Sequence, residues 1–232
     1  MDDLCFMPAT EAAALIREKK LSPVELTSAV LARIEALELR VNAFATLAAD
    51  KAMADAQRAE AELGRSDGEL GPLRGIPVTI KDLASVEGLP FERGSNIEAG
   101  AIGTEDAPFV SRLRQAGAIV LGKTTTSEFG WKGVSQSPRT GITHNPWKEG
   151  YNAGASSAGA GAAAAAGYGP LHQGSDGAGS IRLPSHFCGI FGLNPSFGRV
   201  PNAPVANGDQ TSHIGPMTRT VADSALLLQV MS

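Results

Sequence analysis

Residues 151–184 read YNAGASSAGAGAAAAAGYGPLHQGSDGAGSIRLP, and most of them are glycine, alanine or serine. Glycine is used where the backbone needs a positive φ or where another group must approach it closely. The part from 174 to 184 therefore presents bare backbone N–H groups beside serine hydroxyls, the combination that nucleophilic acyl chemistry requires. On its own, a stretch of this composition fits a flexible surface loop at least as well. The surrounding sequence has to separate these two interpretations.

The first part of the chain has a helical pattern. Residues 10–18 predict a short helix with Thr10 as its N-cap. Residues 21–37 predict a second helix, which opens with a serine–proline–valine–glutamate capping box and continues as an apolar stripe near the helical period. A third helix, rich in alanine and glutamate, covers about 48–63. We therefore expect residues 1–65 to form an all-helical N-terminal segment.

Helical and strand patterns alternate in the remainder. Residues 75–83 and 118–124 contain short apolar runs typical of buried strands, and residues 106–117 between them form an amphipathic helical pattern that ends at a glycine. Two more helices are predicted over 159–167, which holds only glycine and alanine, and over 220–232. Alternation of this kind favours an α/β fold.

The composition is that of an ordinary globular protein and excludes several function classes. The 232 residues are 43% hydrophobic with a formal net charge of −4, so we expect no electrostatic affinity for nucleic acid or an anionic membrane surface. No apolar run reaches the roughly 20 residues of a membrane span, and no secretory signal is visible. Cys5 and Cys188 show no metal-ligand spacing, which predicts free thiols in a cytoplasmic protein.

Three known motif classes are weakly supported. Residues 159–164 match a dinucleotide-binding G-x-G-x-x-A pattern, but no strand precedes them as that fold requires. The nucleophile elbow G-x-S-x-G fails at Ala158. Four histidines leave a Ser-His-Asp triad open; His172 and His186 flank the 174–184 stretch, although each is more often structural than catalytic. No spacing of these residues indicates a metal site.

Longer blocks, taken in order, resemble the amidase signature family. They are GIPVTIKDL, DAPFVSRLRQAGAIVLGKTTTSEFG, HNPW, the stretch 151–201 and GPMTRTVADSALLL, so the resemblance covers nearly the whole chain. It implies an α/β fold with a mixed β-sheet core flanked by helices, in which residues 66–232 are the N-terminal half of the catalytic domain. Family members are about twice as long, and the final helix has an apolar face to bury. We therefore expect the fold to be incomplete at the C-terminus, with a C-terminal half missing.

The resemblance also implies a Ser–Ser–Lys catalytic triad. The lysine of the family's P-x-x-x-K-D setting falls on Lys81, the bridging serine on Ser156 and the nucleophile of G-S-I-R on Ser180. The family places a cis peptide before the bridging serine, here between Ala155 and Ser156. A serine hydroxyl needs a base within hydrogen-bonding reach, and lysine serves only when it is neutral. We therefore expect burial to lower the pKa of Lys81, with Asp82 pointing to the opposite face of the strand.

Other residues take supporting roles by the same resemblance. Backbone amides of the nucleophile loop are expected to form an oxyanion hole, from Gly177, Ala178, Gly179 and Ser180. Supporting hydrogen bonds and loop anchoring are expected from Ser157, Ser175, Asp176 and Arg182. The loop that borders the acyl pocket supplies the substrate-binding residues Phe129, Trp131 and Lys132. Its two aromatic side chains favour an aryl or aliphatic acyl group over a charged one, and fit ordinary core positions equally well.

The resemblance implies an amidase that hydrolyses the carbon–nitrogen bond of a small-molecule amide through a serine acyl-enzyme, without a metal or cofactor. One alternative is the amidase component of a glutamine-dependent amidotransferase. Another is a catalytically idle half-domain that serves as a structural or interaction module. The resemblance also leaves a homodimer open.

Overall fold

The computed structural model describes residues 2–65, 71–203 and 211–232. The helices in these ranges are α1 Asp2–Phe6, α2 Ala9–Arg17, α3 Pro23–Val41, α4 Ala49–Arg65, α5 Pro108–Gln115, α6 Ala158–Ala166, α7 Arg182–Cys188 and α8 Val221–Met231. The strands are β1 Phe44–Leu47, β2 Pro77–Lys81, β3 Ile119–Thr124, β4 Gln136–Ser137, β5 Gly141–Ile142, β6 His144–Asn145, β7 Lys148–Asn152, β8 Leu171–Asp176, β9 Phe191–Gly192 and β10 His213–Thr218. A short 3-10 turn covers Glu128–Gly130.

Six of these strands form one mixed sheet in the order β1-β3-β2-β8-β10-β9. Strand β2 is parallel to both of its neighbours, β3 and β8, whereas β1, β10 and β9 join by antiparallel pairing. Parallel neighbours need a crossover connection, and α5 lies between β2 and β3 in the chain while α6 precedes β8. The expected α/β fold with a mixed sheet and flanking helices is confirmed.

The middle of the sheet is buried on both faces, as is usual for parallel strands covered by helices. Every residue of β2 and β3 is buried. Helix α6 packs on these strands with only glycine and alanine along its length. A side chain at Gly159 would overlap the carbonyl oxygen of Ala43 and the backbone of Thr125. The small residues therefore let α6 approach the sheet closely, and they bring the residues before its first turn onto the sheet edge.

The N-terminal segment differs from the expectation at two points. Strand β1 lies within it and pairs with β3, so the segment is not all helical. Four residues between two long helices are too few to show a clear period-2 pattern. Thr10 is not an N-cap, because α2 already begins at Ala9 and the Thr10 hydroxyl donates to Asp223 of α8 at 3.2 Å. The Ser22 cap of α3 is confirmed, since its hydroxyl accepts from two backbone amides of the first turn.

Helix α8 buries more of its apolar face than the sequence led us to expect. Leu227 and Met231 are buried, and Leu226 and Val230 are half-buried against the same core. The helix packs on α5 and on β10, a strand that the sequence pattern did not predict. Much of this face is therefore covered within the chain itself.

Across the described residues, no helix has both the length and the apolar character that crossing a membrane takes.

Candidate active site

Polar side chains converge where the parallel strands β2 and β8 end. Lys81 is the last residue of β2, and Ser175 and Asp176 end β8 at the same edge of the sheet. The close approach of α6 brings Ser156 and Ser157, which precede its first turn, to this edge. The sheet and one helix thus bring together side chains that are far apart in the sequence.

Lys81 is the centre of this cluster. Its amine donates to Ser156 Oγ at 2.7 Å and to Ser175 Oγ at 2.9 Å, and the whole side chain is buried. Burial lowers the pKa of Lys81 to about 7, and the more distant charge of Asp176 only partly opposes this effect. A substantial fraction of this amine is therefore neutral near pH 7, as a lysine base requires.

The two adjacent serines have different surroundings. A cis peptide joins Ala155 to Ser156, as the resemblance implied. Ser157 ties the start of α6 to β8, because its hydroxyl donates to the Ser175 carbonyl at 3.1 Å and accepts from the Ser175 amide at 3.2 Å. The Ser157 amide also donates to the carbonyl of Ser180 at 3.2 Å. Ser157 is thus a structural connection between the two loops, while Ser156 faces the lysine.

Ser180 lines the same cleft as Ser156 and Ser175. Within the described residues its hydroxyl makes no hydrogen bond, so the expected direct bond from Ser180 to Ser156 is not formed. Hydrogen bonds between catalytic groups are often loose before substrate binds, and tighten only in the reacting complex. The structure therefore forms the lysine–serine part of the expected relay and leaves the Ser180 hydroxyl unbonded.

The carboxylate of Asp176 organises the loop that carries Ser180. It accepts from the amides of Gly179 at 2.6 Å, Ile181 at 3.0 Å and Arg182 at 3.2 Å. The Arg182 guanidinium adds two bonds of 2.9 Å each. Burial alone would raise the pKa of Asp176, but the guanidinium and these amides outweigh burial and hold it well below its usual range. Asp176 is therefore an ionised anchor of the loop.

This anchoring changes the expected oxyanion hole. The Gly179 amide is already bound to Asp176, so it is not available to a substrate oxygen. The amides of Gly177, Ala178 and Ser180 make no hydrogen bond with the described part of the chain. The amides of Gly177, Ala178 and Ser180 therefore remain candidate oxyanion donors, whereas the Gly179 amide does not.

The cluster opens into a cleft of about 480 Å³. Phe129, Trp131 and Lys132 line this cleft together with Ser156 and Ser180. Trp131 is 91% exposed and Phe129 is 45% exposed, so neither is an ordinary core aromatic residue. Leucine, threonine and serine side chains that no sequence motif singled out complete the wall, namely Leu83, Leu183, Thr211 and Ser212.

A second lysine lies beside the site and was not expected there. Lys123 on β3 donates to Asp82 Oδ1 at 2.9 Å and to the Pro90 carbonyl at 3.0 Å, with both side chains buried. Burial raises the pKa of Asp82 and lowers the pKa of Lys123, and each partner opposes the shift of the other. Asp82 thus points away from Lys81, as the alternation of side chains along a strand predicted.

His172 is placed as a structural residue, and neither it nor His186 lines the cleft. His172 is buried, with Nε2 donating to the Gly169 carbonyl at 3.1 Å and Nδ1 lying 2.9 Å from Thr79 Oγ1. Burial lowers the pKa of His172 to about 3, so the ring is neutral. His186 is exposed on α7. In the part of the chain that the structure describes, no group of three or more His, Cys, Asp or Glu residues is arranged to hold a metal ion.

Comparison with known proteins gives a consistent result. A family model described as Amidase matches residues 25–232. The chain is 47% identical to an acylamidase from Rhodococcus erythropolis over 231 residues, which is 99% of this chain and 48% of that protein. It is 42% identical to a component of the glutamyl-tRNA(Gln) amidotransferase from Chloroflexus aurantiacus over 233 residues, covering 100% of this chain and 48% of that component.

Solved structures agree with these sequence matches. The native peptide amidase from Stenotrophomonas maltophilia superimposes with a TM-score of 0.90 at 34% identity, over 97% of this chain and 48% of that one. A 6-aminohexanoate cyclic dimer hydrolase gives a TM-score of 0.89 at 35% identity, over 98% of this chain and 47% of that one. The chain spans about half the length of the curated relatives it matches.

Proposed function

Because this chain belongs to the amidase (amidase signature) family, we propose that it hydrolyses carbon–nitrogen amide bonds through an acyl-enzyme on Ser180. The observation that carries the proposal is the buried contact of 2.7 Å between the Lys81 amine and Ser156 Oγ. A lysine with a pKa of about 7 in this position has the protonation state that a general base needs. Lys81, Ser156 and Ser180 are the proposed catalytic residues.

The proposed reaction begins with attack of Ser180 Oγ on the amide carbonyl carbon. As the new C–O bond forms, Ser156 takes the proton of Ser180 and passes its own proton to neutral Lys81. The tetrahedral intermediate then breaks its C–N bond, and the proton returns from Lys81 through Ser156 to the leaving nitrogen. Water cleaves the resulting ester by the same proton path, which releases a carboxylic acid and restores Ser180.

The negative charge on the intermediate's oxygen needs donors that are already in place. We assign this role to the amides of Gly177, Ala178 and Ser180, which have no competing acceptor among the described residues. One such donor typically stabilises the transition state by about 3 kcal/mol. The Asp176 anchor supports this assignment, because it holds the neighbouring amides of the same loop in fixed directions.

The cleft supports a small-molecule amide with an aryl or aliphatic acyl group. Phe129 and Trp131 give it an apolar wall. The amine of Lys132, the charged residue on this wall, donates to Gln136 at 2.8 Å. The relative from Rhodococcus erythropolis is named an acylamidase, which supports an amide substrate without specifying its acyl group.

The similarity to the glutamyl-tRNA(Gln) amidotransferase component favours a second candidate, release of ammonia from glutamine for transfer elsewhere. The two candidates are separated by measuring ammonia from aryl and aliphatic amides and from L-glutamine, with Ser180→Ala as the control. Ammonia release from simple amides supports the amidase if the Ser180→Ala variant does not show it. Release from glutamine alone supports the amidotransferase component, and a folded chain that releases ammonia from neither substrate supports an idle half-domain.

Three broader proposals accompany this function. Cys5 and Cys188 are both buried thiols, which supports a reducing, cytoplasmic location. Residues 66–232 are proposed as the N-terminal half of a catalytic domain; the half-length match to relatives supports such a half, and the family match from residue 25 extends it toward the N-terminus. A homodimer is the proposed assembly, and sedimentation of the purified protein tests it.

A further inference from the structure

The central sheet separates locally beside Lys81. Strand β2 pairs with β3 along its full length, up to Lys81 opposite Thr124. Its pairing with β8 covers Val78 and Thr79 and ends there. Strand β8 continues to Asp176, and on its other edge β10 pairs with it along its whole length, from Leu171 to Asp176. The two strands that carry Lys81 and Ser175 therefore part before they reach the site.

A side chain makes the missing connection. The amide of Lys81, which has lost a strand partner on the β8 side, donates to Oε1 of Gln173 at 3.0 Å. The Gln173 amide group is itself fixed, because its Nε2 donates to the Gly174 carbonyl at 2.7 Å. Gln173 is 1% exposed, so water does not compete for either bond. A buried backbone N–H without an acceptor is costly, and Gln173 supplies that acceptor.

Strand β8 thus binds Lys81 at two groups, its main-chain amide and its side-chain amine. Gln173 binds its main chain, and Ser175, two residues further on, binds its amine at 2.9 Å. Both contacts fall beyond the point where the strand pairing ends. The position of the amine relative to Ser156 depends on where the main chain of Lys81 is fixed. On the side that faces β8, the Gln173 side chain fixes it.

We infer that Gln173 is a positioning residue for the proposed reaction: its side-chain oxygen fixes the main chain of Lys81 and so sets where the lysine amine stands between Ser156 and Ser175. This inference rests on the proposed role of Lys81 as the base. Gln173 touches neither the cleft nor any atom that reacts, so its effect passes through Lys81 alone.

Three variants separate this role from simple packing. Gln173→Met keeps the length and volume of the side chain but removes the acceptor. Gln173→Glu keeps an oxygen that can accept from the Lys81 amide, but it replaces the Nε2 donor to the Gly174 carbonyl and adds a negative charge near Lys81. Thr79→Val is the matched control: it removes a buried polar contact between the same two strands, the 2.9 Å contact to His172, where the strand pairing is intact.

The experiment measures the rate at which a fluorophosphonate phosphonylates Ser180, with loss of fluoride, as a function of pH, together with the thermal midpoint of each variant. Misplacing a catalytic group by about 1 Å can cost 100-fold in rate, so we expect Gln173→Met to slow phosphonylation at least about tenfold. We expect Gln173→Glu, which keeps the acceptor but loses the Nε2 donor, to lose less rate than Gln173→Met at its optimum, with its pH midpoint moved upward because a nearby anion favours the ammonium form. Thr79→Val lowers the thermal midpoint and leaves rate and pH midpoint unchanged.

A second measurement does not depend on catalysis. Lysine labelled with ¹³C at the ε carbon reports the titration of Lys81 by NMR, with Lys81→Met identifying the resonance. We expect the Lys81 titration to shift in both Gln173 variants and to stay unchanged in Thr79→Val. If the probe never phosphonylates the wild type, the proposed function fails, while this titration still tests the role of Gln173. The inference is overturned if Gln173→Met keeps the wild-type phosphonylation rate and Lys81 titration, or if Met and Glu variants are equally impaired.

Discussion

The Lys81 amine lies 2.7 Å from the hydroxyl oxygen of Ser156, with both side chains buried. Within the described residues, the hydrogen-bond partners of this amine are two neutral hydroxyls and no carboxylate. An ammonium ion at this place gives up its hydration without gaining an anion in direct contact. The arrangement therefore favours the neutral amine, which has a lone pair to accept a proton.

The pH dependence of hydrolysis follows from this contact. Since neutral Lys81 is the proposed active form and its pKa is about 7, kcat/KM is expected to rise with pH through a single ionisation near 7. Lys81→Arg is expected to be inactive throughout, because a guanidinium keeps its proton. A rate profile of both proteins over the neutral and alkaline range checks this. A midpoint near the free-lysine value of roughly 10.4, or an active arginine variant, contradicts it.

Removing the lysine is expected to stabilise the fold. The folded-state pKa of Lys81 lies below its value of 10.5 in the unfolded chain, so the unfolded chain binds more protons between these limits. Stability of the wild type consequently falls as pH decreases from about 10.5 to 7. Lys81→Met, which binds no proton, is expected to raise the free energy of unfolding, and by more at pH 7 than at pH 10. Denaturant unfolding at both pH values measures this, and a uniform or negative change speaks against a desolvated lysine.

The buried pair of Asp82 and Lys123 is expected to be needed for folding and not for chemistry. Lys123→Met leaves the Asp82 carboxylate buried without its cation, a change that typically costs about 3–5 kcal/mol. The double variant Asp82→Asn, Lys123→Met is expected to recover part of this loss, because no buried charge is then left unpaired. Urea unfolding of the single and double variants gives the comparison. Equal destabilisation in both would show that the pair does not act as a unit.

The exposed tryptophan of the cleft is expected to affect substrate binding without affecting stability. Trp131→Ala is expected to raise KM for aryl and aliphatic amides, while the thermal midpoint stays unchanged because Trp131 is 91% exposed. Lys132→Gln is the control, since it removes the charge of the same wall and leaves a polar side chain that is one atom shorter. A larger loss from Lys132→Gln than from Trp131→Ala would indicate a charged acyl group and overturn the proposed substrate class.

Elements with strong local signals were predictable from the sequence. Three elements have a local sequence pattern typical of the structure that they form. They are the helix that begins after Ser22, the apolar strand β3 and the small-residue helix α6. β1, with four residues, and β10, which contains Gly215 and Pro216, have no such pattern. Their positions are set by pairing with distant strands, which a single sequence does not display.

The candidate site was likewise predictable from the sequence only in part. The motifs identified Lys81 and Ser156, and the structure brings these two residues into contact. The Gly179 amide was assigned to the wrong partner, because its bond to Asp176 depends on how the loop folds back on itself. Gln173 was missed altogether, since only the parting of β2 from β8 gives its side chain a function.

Phosphonylation of Ser180 by an active-site probe tests the central claim most directly. The wild-type protein, Ser180→Ala and Lys81→Arg are incubated with a fluorophosphonate, and the modified residue is located by mass spectrometry of the peptides. We expect one adduct, on Ser180, in the wild type, and none in either variant at the same exposure, because the hydroxyl is unreactive without a neutral base. An adduct on another residue, or labelling of Lys81→Arg at the wild-type rate, would contradict a nucleophile activated by Lys81.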